Sequence, residues 1–245
     1  MSYDRVTDLV TFYNVISELE ARLGGRRTLT SAPEQGEPQW PARGIYFFFE
    51  PGETRSVSGS GDRVVRVASH SFAAGATSFW GGLLGSRGGP SGRGNHRASI
   101  FRELIGEALQ RRRSGRSLAS WGVGGSHQDA ARRLGLDLEQ VSAEEGALEV
   151  EVSDYIRQMP FLWLAAPPEP SPDGRRNYFE RQSIALLSNL TGPADPPSAA
   201  WLGRFSGRER VRASGLWNNN HVQHPYADAF LAAFRAAAAA AGPGS

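Results

Sequence analysis

The sequence predicts an α+β fold. Three short runs, "GIYFFFE" (44–50), "RVVRVAS" (63–69) and "MPFLWLAAP" (159–167), are rich in aromatic or β-branched residues and read as buried strands. Around them lie longer stretches whose apolar residues recur at helical spacing. Gly-, Pro- and Ser-rich segments punctuate the two kinds.

The first element is an amphipathic helix over 6–23, with Leu9, Tyr13, Ile16, Leu19 and Leu23 on one face and Gly24-Gly25 as its stop. A loop leads to the first strand. In that strand, alternation puts Tyr46 and Phe48 on one face and Ile45, Phe47 and Phe49 on the other. Residues 51–62, "PGETRSVSGSGD", read as a turn or long hairpin loop, and Val64, Val65 and Val67 mark the partner strand. A short helix is expected within 76–86, weakened by Gly81, Gly82 and Gly85. Each glycine costs about 1 kcal/mol relative to alanine.

After the flexible loop "GSRGGPSGRGNH" comes a helix over 96–112, with Asn95 as N-cap and Ile100, Phe101, Leu104, Ile105, Ala108 and Leu109 on its apolar face. Residues 114–146 are polar and irregular apart from a short helix at 127–135. "LEVEVSDYI" alternates like a strand over 148–152, but Leu148, Val152 and Ile156 also share a helical face, and helix is the preferred reading. "RRNYFERQSIALLSNL" is a helix ending near Asn189, and "YADAFLAAFRAAAAAA" is a helix over 226–241. Together these suggest one domain, 1–245, with the outer helices as extensions.

Composition excludes several chemistries. The 245 residues contain no cysteine, which removes disulfides, thiolate metal sites and thiol nucleophiles. Lysine is also absent, so all 27 basic residues are arginine. That argues against a Walker-type phosphate loop, kinase apparatus and Schiff-base chemistry. No apolar run is long enough to span a membrane, and the start of the chain lacks a signal-peptide pattern, so a cytoplasmic location is expected.

Net charge is only +2, but it is unevenly spread. Arg87, Arg93, Arg97, Arg102, Arg111, Arg112, Arg113 and Arg116 face only Glu103 and Glu107 within 87–116, a local +6. "RFSGRERVR" (204–212) adds four arginines against one glutamate. Clustered arginine attracts a phosphate backbone, although such a cluster also reads as a solvated surface.

Hydrolase signatures are missing: there is no G-x-S-x-G, H-E-x-x-H or EF-hand loop. His221 and His224 are spaced i,i+3 without a carboxylate cluster beside them in sequence, and read as structural or surface residues. What remains is an ordered set: Gly44-Ile45-Tyr46 on one strand, "VVRVAS" on the next, an arginine-rich helical region, a third strand, and a helix carrying Glu180 ahead of Asn189. This order resembles the GIY-YIG nuclease superfamily over roughly 43–190. "GNHRASIFR" (94–102) and "SGLWNNNHV" (214–222) resemble an uncharacterised bacterial branch of it.

The resemblance implies a small three-stranded antiparallel sheet flanked by helices, and metal-dependent hydrolysis of nucleic acid, most simply DNA. It implies that Tyr46 helps activate the attacking water and that Glu180 holds one Mg²⁺ or Mn²⁺. Asn189 matches an asparagine that often follows that glutamate. The chain departs from the pattern twice. Arg66-Val67-Ala68 stands where Tyr-Ile-Gly is expected, and Arg66 in that place supplies a cation that favours the Tyr46 phenolate. Gly82 and Ser86 stand where an arginine and a histidine are expected, so either Arg87 or Arg97 substitutes as the phosphate clamp or the clamp is lost. Losing one such donor costs about 2.7–4 kcal/mol of transition-state stabilisation.

Each candidate has a second reading. Tyr46 also fits a core aromatic, Glu180 a solvated helix charge and Asn189 a helix C-cap. His70 is placed after the second strand either to meet a phosphate or for structure alone. His96 reads as lining the start of its helix, and Arg97 and Arg102 as helix charges. Trp217 reads as a packing anchor before a base-stacking platform. Arg87, Arg93, Arg102, Arg111, Arg112 and Arg113 are the expected nucleic-acid contacts, in a working enzyme or in a catalytically degenerate binding protein.

Overall fold

The computed structural model describes residues 4–30, 44–70, 83, 85–165, 175–192 and 194–242. Its sheet has three antiparallel strands in the order β2-β1-β3: β1 (Gly44–Thr54), β2 (Asp62–His70) and β3 (Phe161–Ala165). The helices are α1 (Arg5–Leu23), α2 (Ile100–Ser114), α3 (His127–Leu134), α4 (Leu138–Arg157), α5 (Arg175–Leu187), α6 (Glu209–Ser214) and α7 (Phe230–Ala240). The fold is α+β.

β1 is central, and its alternation serves two cores. Phe47 points to one side, where it meets Phe12 of α1 at 6.0 Å and Phe234 of α7 at 5.7 Å between ring centroids. Phe12 stacks on Phe234 at 5.2 Å, so the two terminal helices pack on each other and on the sheet. Phe48 points to the other side and meets Phe101 of α2 and Phe161 of β3, each at 5.5 Å. The outer edge of β3 is bridged by Arg27, which exchanges backbone hydrogen bonds with Phe161.

Several elements differ from the sequence reading. β1 runs on to Thr54 because Glu53, in the expected loop, pairs with Arg63 of β2 through two charge-assisted hydrogen bonds of 2.9 and 2.7 Å. The expected helix over 96–112 is two pieces. Asn95 caps a 3-10 turn, His96–Ala98, and Ser99 caps α2 itself. Ile100, expected in the core, is 46% exposed. α4 begins well inside the stretch expected to be irregular, with Asp137 as its N-cap accepting from Gln140 N at 2.8 Å. The expected short helix over 76–86 lies largely outside the described residues, as does Gly82; Leu83 and residues 85–87 are helical. Among the described residues no helix is long and apolar enough to cross a membrane.

Candidate active site

Strand pairing puts Tyr46, Phe48, Arg66 and Ala68 on one face: Tyr46 stands opposite Ala68 on one side and Trp163 on the other, and Phe48 opposite Arg66. Tyr46 is 7% exposed, with its ring edge-on to Phe48 at 5.7 Å. The Arg66 guanidinium lies over the Phe101 ring, 4.3 Å from its centroid, and donates to the Trp217 carbonyl. Burial pushes the Arg66 pKa down, and the proximity of Tyr46 and Glu180 pulls against that. Glu180, half-buried on α5, accepts from the Ser69 hydroxyl of β2. One arginine therefore has both the tyrosine and the glutamate within electrostatic reach. His70 closes β2 opposite Gly44, and its side chain lies outside what the structure describes.

The "SGLWNNNHV" segment holds this arginine in place. It runs along the outer edge of β2, where Trp217 N donates to Val65 O at 2.7 Å. The Asn218 amide imitates a strand, accepting from Val67 N at 3.1 Å and donating to Val67 O at 2.7 Å. Such cover removes the open edge of a sheet. Gly215 begins the turn with φ 74°, and a Cβ there would stand 2.9 Å from both the Asn189 amide nitrogen and Pro197 Cδ.

Trp217 is fully buried and is an anchor, not a stacking platform. Its indole and that of Trp201 donate to one oxygen of Glu50 at 2.9 and 3.1 Å, and the Tyr155 hydroxyl donates to the other. Burial raises the Glu50 pKa, and those three donors oppose the rise. Asn189, expected at the reacting centre, is tied to the same segment. Its amide donates to Ser214 O at 2.9 Å and to Asp195 O at 3.2 Å, so its hydrogen bonds go to backbone.

Beyond Asn218 the chain docks on α5. Ser188 Oγ donates to Val222 O at 2.6 Å, and Ala227 N donates to Gln182 Oε1. Between these ties His221 and His224 bring their Nδ1 atoms to 3.4 Å. Burial lowers the His221 pKa, and the charge of Glu180 on α5 opposes that shift.

The "GNHRASIFR" motif has a different role from the one expected. Arg102, expected at a nucleic-acid interface, has no exposed surface. It bonds Glu149 Oε2, Glu149 O, Ser153 Oγ and Ser86 O. His96 stacks on Trp121 at 3.7 Å, accepts from Gly122 N at Nε2 and meets Glu149 Oε1 through Nδ1 at 2.9 Å. That pattern fits the neutral ring protonated on Nδ1. Arg97, expected as a clamp, forms a bidentate pair with Glu145 at 2.6 and 2.8 Å and also bonds Val123 O and Ser120 O. Gly94 is required by close approach, since a Cβ there would fall 2.1 Å from Arg102 Cζ.

The two glutamates are the residues that the sequence reading missed. Their i,i+4 spacing on the Leu148–Val152–Ile156 side of a helix was the available signal.

The remaining arginines are spread out. Arg87 is half-buried in the helical turn at 85–87, and exposed Arg93 lies over Gly146 of α4. Arg111, Arg112 and Arg113 sit at the far end of α2 from Phe101, roughly 15 Å along the helix. Arg111 pairs with Glu107 at 3.3 Å, and Arg113 pairs with Glu151.

A family model described as a GIY-YIG domain matches residues 3–242, which includes both terminal helices. No curated protein and no solved structure matches. On the near-complete match and the three-stranded antiparallel sheet with its GIY tyrosine in the central strand, the chain belongs to the GIY-YIG domain family, which points to nuclease activity.

Proposed function

We propose that the protein is a divalent-metal-dependent endonuclease acting on DNA. The observation that carries this reading is the Arg66 guanidinium, which has Tyr46 and Glu180 within electrostatic reach and is fixed by the Trp217 carbonyl and the Phe101 ring. Tyr46 takes the proton of the attacking water. A phenol is a poor base at neutral pH, and an adjacent cation stabilises the phenolate. Arg66 is that cation and replaces the tyrosine of the usual second motif. Ser69 orients the Glu180 carboxylate.

A lone carboxylate fits Mg²⁺, which keeps most of its waters, and Glu180 would hold Mg²⁺ or Mn²⁺. Such an ion, when bound, polarises the phosphate and steadies the leaving oxygen. The expected test result is that Glu180→Gln abolishes Mg²⁺-dependent nicking of plasmid DNA while the circular dichroism spectrum is kept. Equal cleavage by parent and variant would remove Glu180 from the mechanism.

A second reading is favoured by one specific observation. Arg97 and Arg102 are both engaged by buried glutamates of α4, which leaves the clamp to fewer candidates. On this reading the protein binds DNA without cutting it. A parent inert with Mg²⁺ and Mn²⁺, yet binding DNA with steep salt dependence, would put this reading first.

A further inference from the structure

His221 and His224 carry chemistry that the nuclease reading does not use. Their Nδ1 atoms are 3.4 Å apart, with ring centroids at 5.2 Å and ring planes inclined by 65°. That separation is long for an N–H···N hydrogen bond. It matches two nitrogen ligands of one tetrahedral metal: bonds of about 2.0–2.1 Å place such ligands about 3.3–3.4 Å apart.

The arrangement is built into the fold. His224 N donates to His221 O at 3.2 Å, which closes the turn. His221 has φ 65° and is the only non-glycine residue with positive φ among the described residues. Histidine, like asparagine and aspartate, enters that region more readily than other non-glycine residues. Here the hydrogen bonds of Ser188 and Gln182 pin the loop to α5, the helix that carries Glu180. His224 is exposed and His221 half-buried.

We propose that His221 and His224 form a bidentate imidazole clamp for a borderline divalent cation (Co²⁺, Ni²⁺ or Zn²⁺) on the loop docked against the helix that carries Glu180. Imidazole suits these ions, whereas Mg²⁺ prefers oxygen. Among the described residues no third His, Asp or Glu side chain joins the pair, so the clamp is proposed as two-coordinate on the protein side. The clamp deepens the nuclease reading and rests on it for the role of Glu180. It puts a nitrogen-based foothold for metal on a loop tied to the Glu180 helix and predicts that such ions bind there more tightly than Mg²⁺.

The test is titration of the untagged full chain with Co²⁺, followed by visible absorption and calorimetry. Saturable binding at one site is expected, undisplaced by an equal concentration of Mg²⁺. His221→Asn and His224→Gln should each weaken binding about tenfold or more, no less than the loss of an outer-sphere partner costs. Asparagine is chosen at 221 because it tolerates the left-handed region. Undiminished Co²⁺ binding by both variants, or none by the parent, overturns the proposal.

If a variant does not fold, the parent labelled with ¹⁵N-histidine decides. Paramagnetic broadening confined to His221 and His224 supports the clamp, and broadening centred on other histidines overturns it. Cleavage is read separately. Histidine-dependent Co²⁺ binding by a chain that cuts no nucleic acid keeps the clamp and removes the nuclease reading. Mg²⁺-dependent cleavage without that binding does the reverse.

Discussion

Arg66 and Glu50 show how single residues act here through what surrounds them. Arg66 has its guanidinium fixed by a carbonyl and a ring, and among the described residues no carboxylate forms a salt bridge with it. Arg66→Gln should therefore leave the fold intact and lower cleavage about 10²–10³-fold, the usual cost of one preorganised donor. Single-turnover rates on plasmid DNA measure this, and an unchanged rate would remove Arg66 from the proposed mechanism.

Glu50 is structural. Glu50→Leu would leave the indoles of Trp201 and Trp217 and the hydroxyl of Tyr155 unpaired in the interior. Each lost partner costs about 1–3 kcal/mol, so urea unfolding should show a loss of several kcal/mol. Tyrosine 155 shares this fate because burial and the neighbouring carboxylate both raise its pKa, keeping the hydroxyl protonated as a donor.

At the scale of elements, two clasps hold the sheet and helices in register. The first is Asp195, which accepts from the amides of Ser56, Val57 and Ser58 at 2.9, 2.8 and 3.0 Å and from the Ser58 hydroxyl at 2.6 Å. It fixes the β1–β2 loop. Burial alone would raise the Asp195 pKa, but the Ser58 hydroxyl and the three amides outweigh it and the pKa lies below its ordinary value. A depressed folded-state pKa gives stability that is present above the unfolded value, about 3.9, and is lost as pH falls through the folded value. Asp195→Asn should therefore be less stable than the parent at neutral pH and lose less on acidification. Thermal melts from pH 7 down to pH 3 compare the two, and parallel curves would exclude Asp195 as the source.

The second clasp joins Glu149 on α4 to His96 and Arg102. Breaking a buried ion pair from one side costs about 3–5 kcal/mol because the remaining charge is stranded. Glu149→Leu should fall in that range by chemical denaturation. A cost under 1 kcal/mol would mean that Arg102 finds another partner.

Across the whole molecule, arginine counts overstate the basic surface. Of the three consecutive arginines on α2, Arg111 and Arg113 already have carboxylate partners, while Arg112 is exposed. Neutralising all three should lower the log–log salt slope of DNA binding by nearer one phosphate contact, about 0.9, than three. Fluorescence anisotropy across a salt series gives the slope, and no change would turn this end of α2 away from the nucleic acid.

How much of this was legible follows the same division. The two faces of β1 were readable because alternation depends only on neighbouring residues, and so was the placing of Tyr46 with Phe48 and away from Phe47. α1 was readable from its periodic apolar face and its Gly24-Gly25 stop. The start of α4 was not: its buried face includes Glu145 and Glu149, which look solvated until their partners are known.

The sequence by itself determined the α+β class, the strand faces, the family pattern of Tyr46 and Glu180 and the absence of cysteine and lysine chemistry. Each of these rests on residue type and short-range spacing. Only the tertiary structure decided that Arg97 and Arg102 are internal, that Asn189 binds backbone, that "SGLWNNNHV" covers the β2 edge, and that the loop carrying His221 and His224 docks on α5. Those outcomes depend on which distant segments share a low-dielectric interior, where an unpaired charge or amide is costly. A chain with 27 arginines can leave most of them in water, and packing decides which ones are enclosed with a carboxylate.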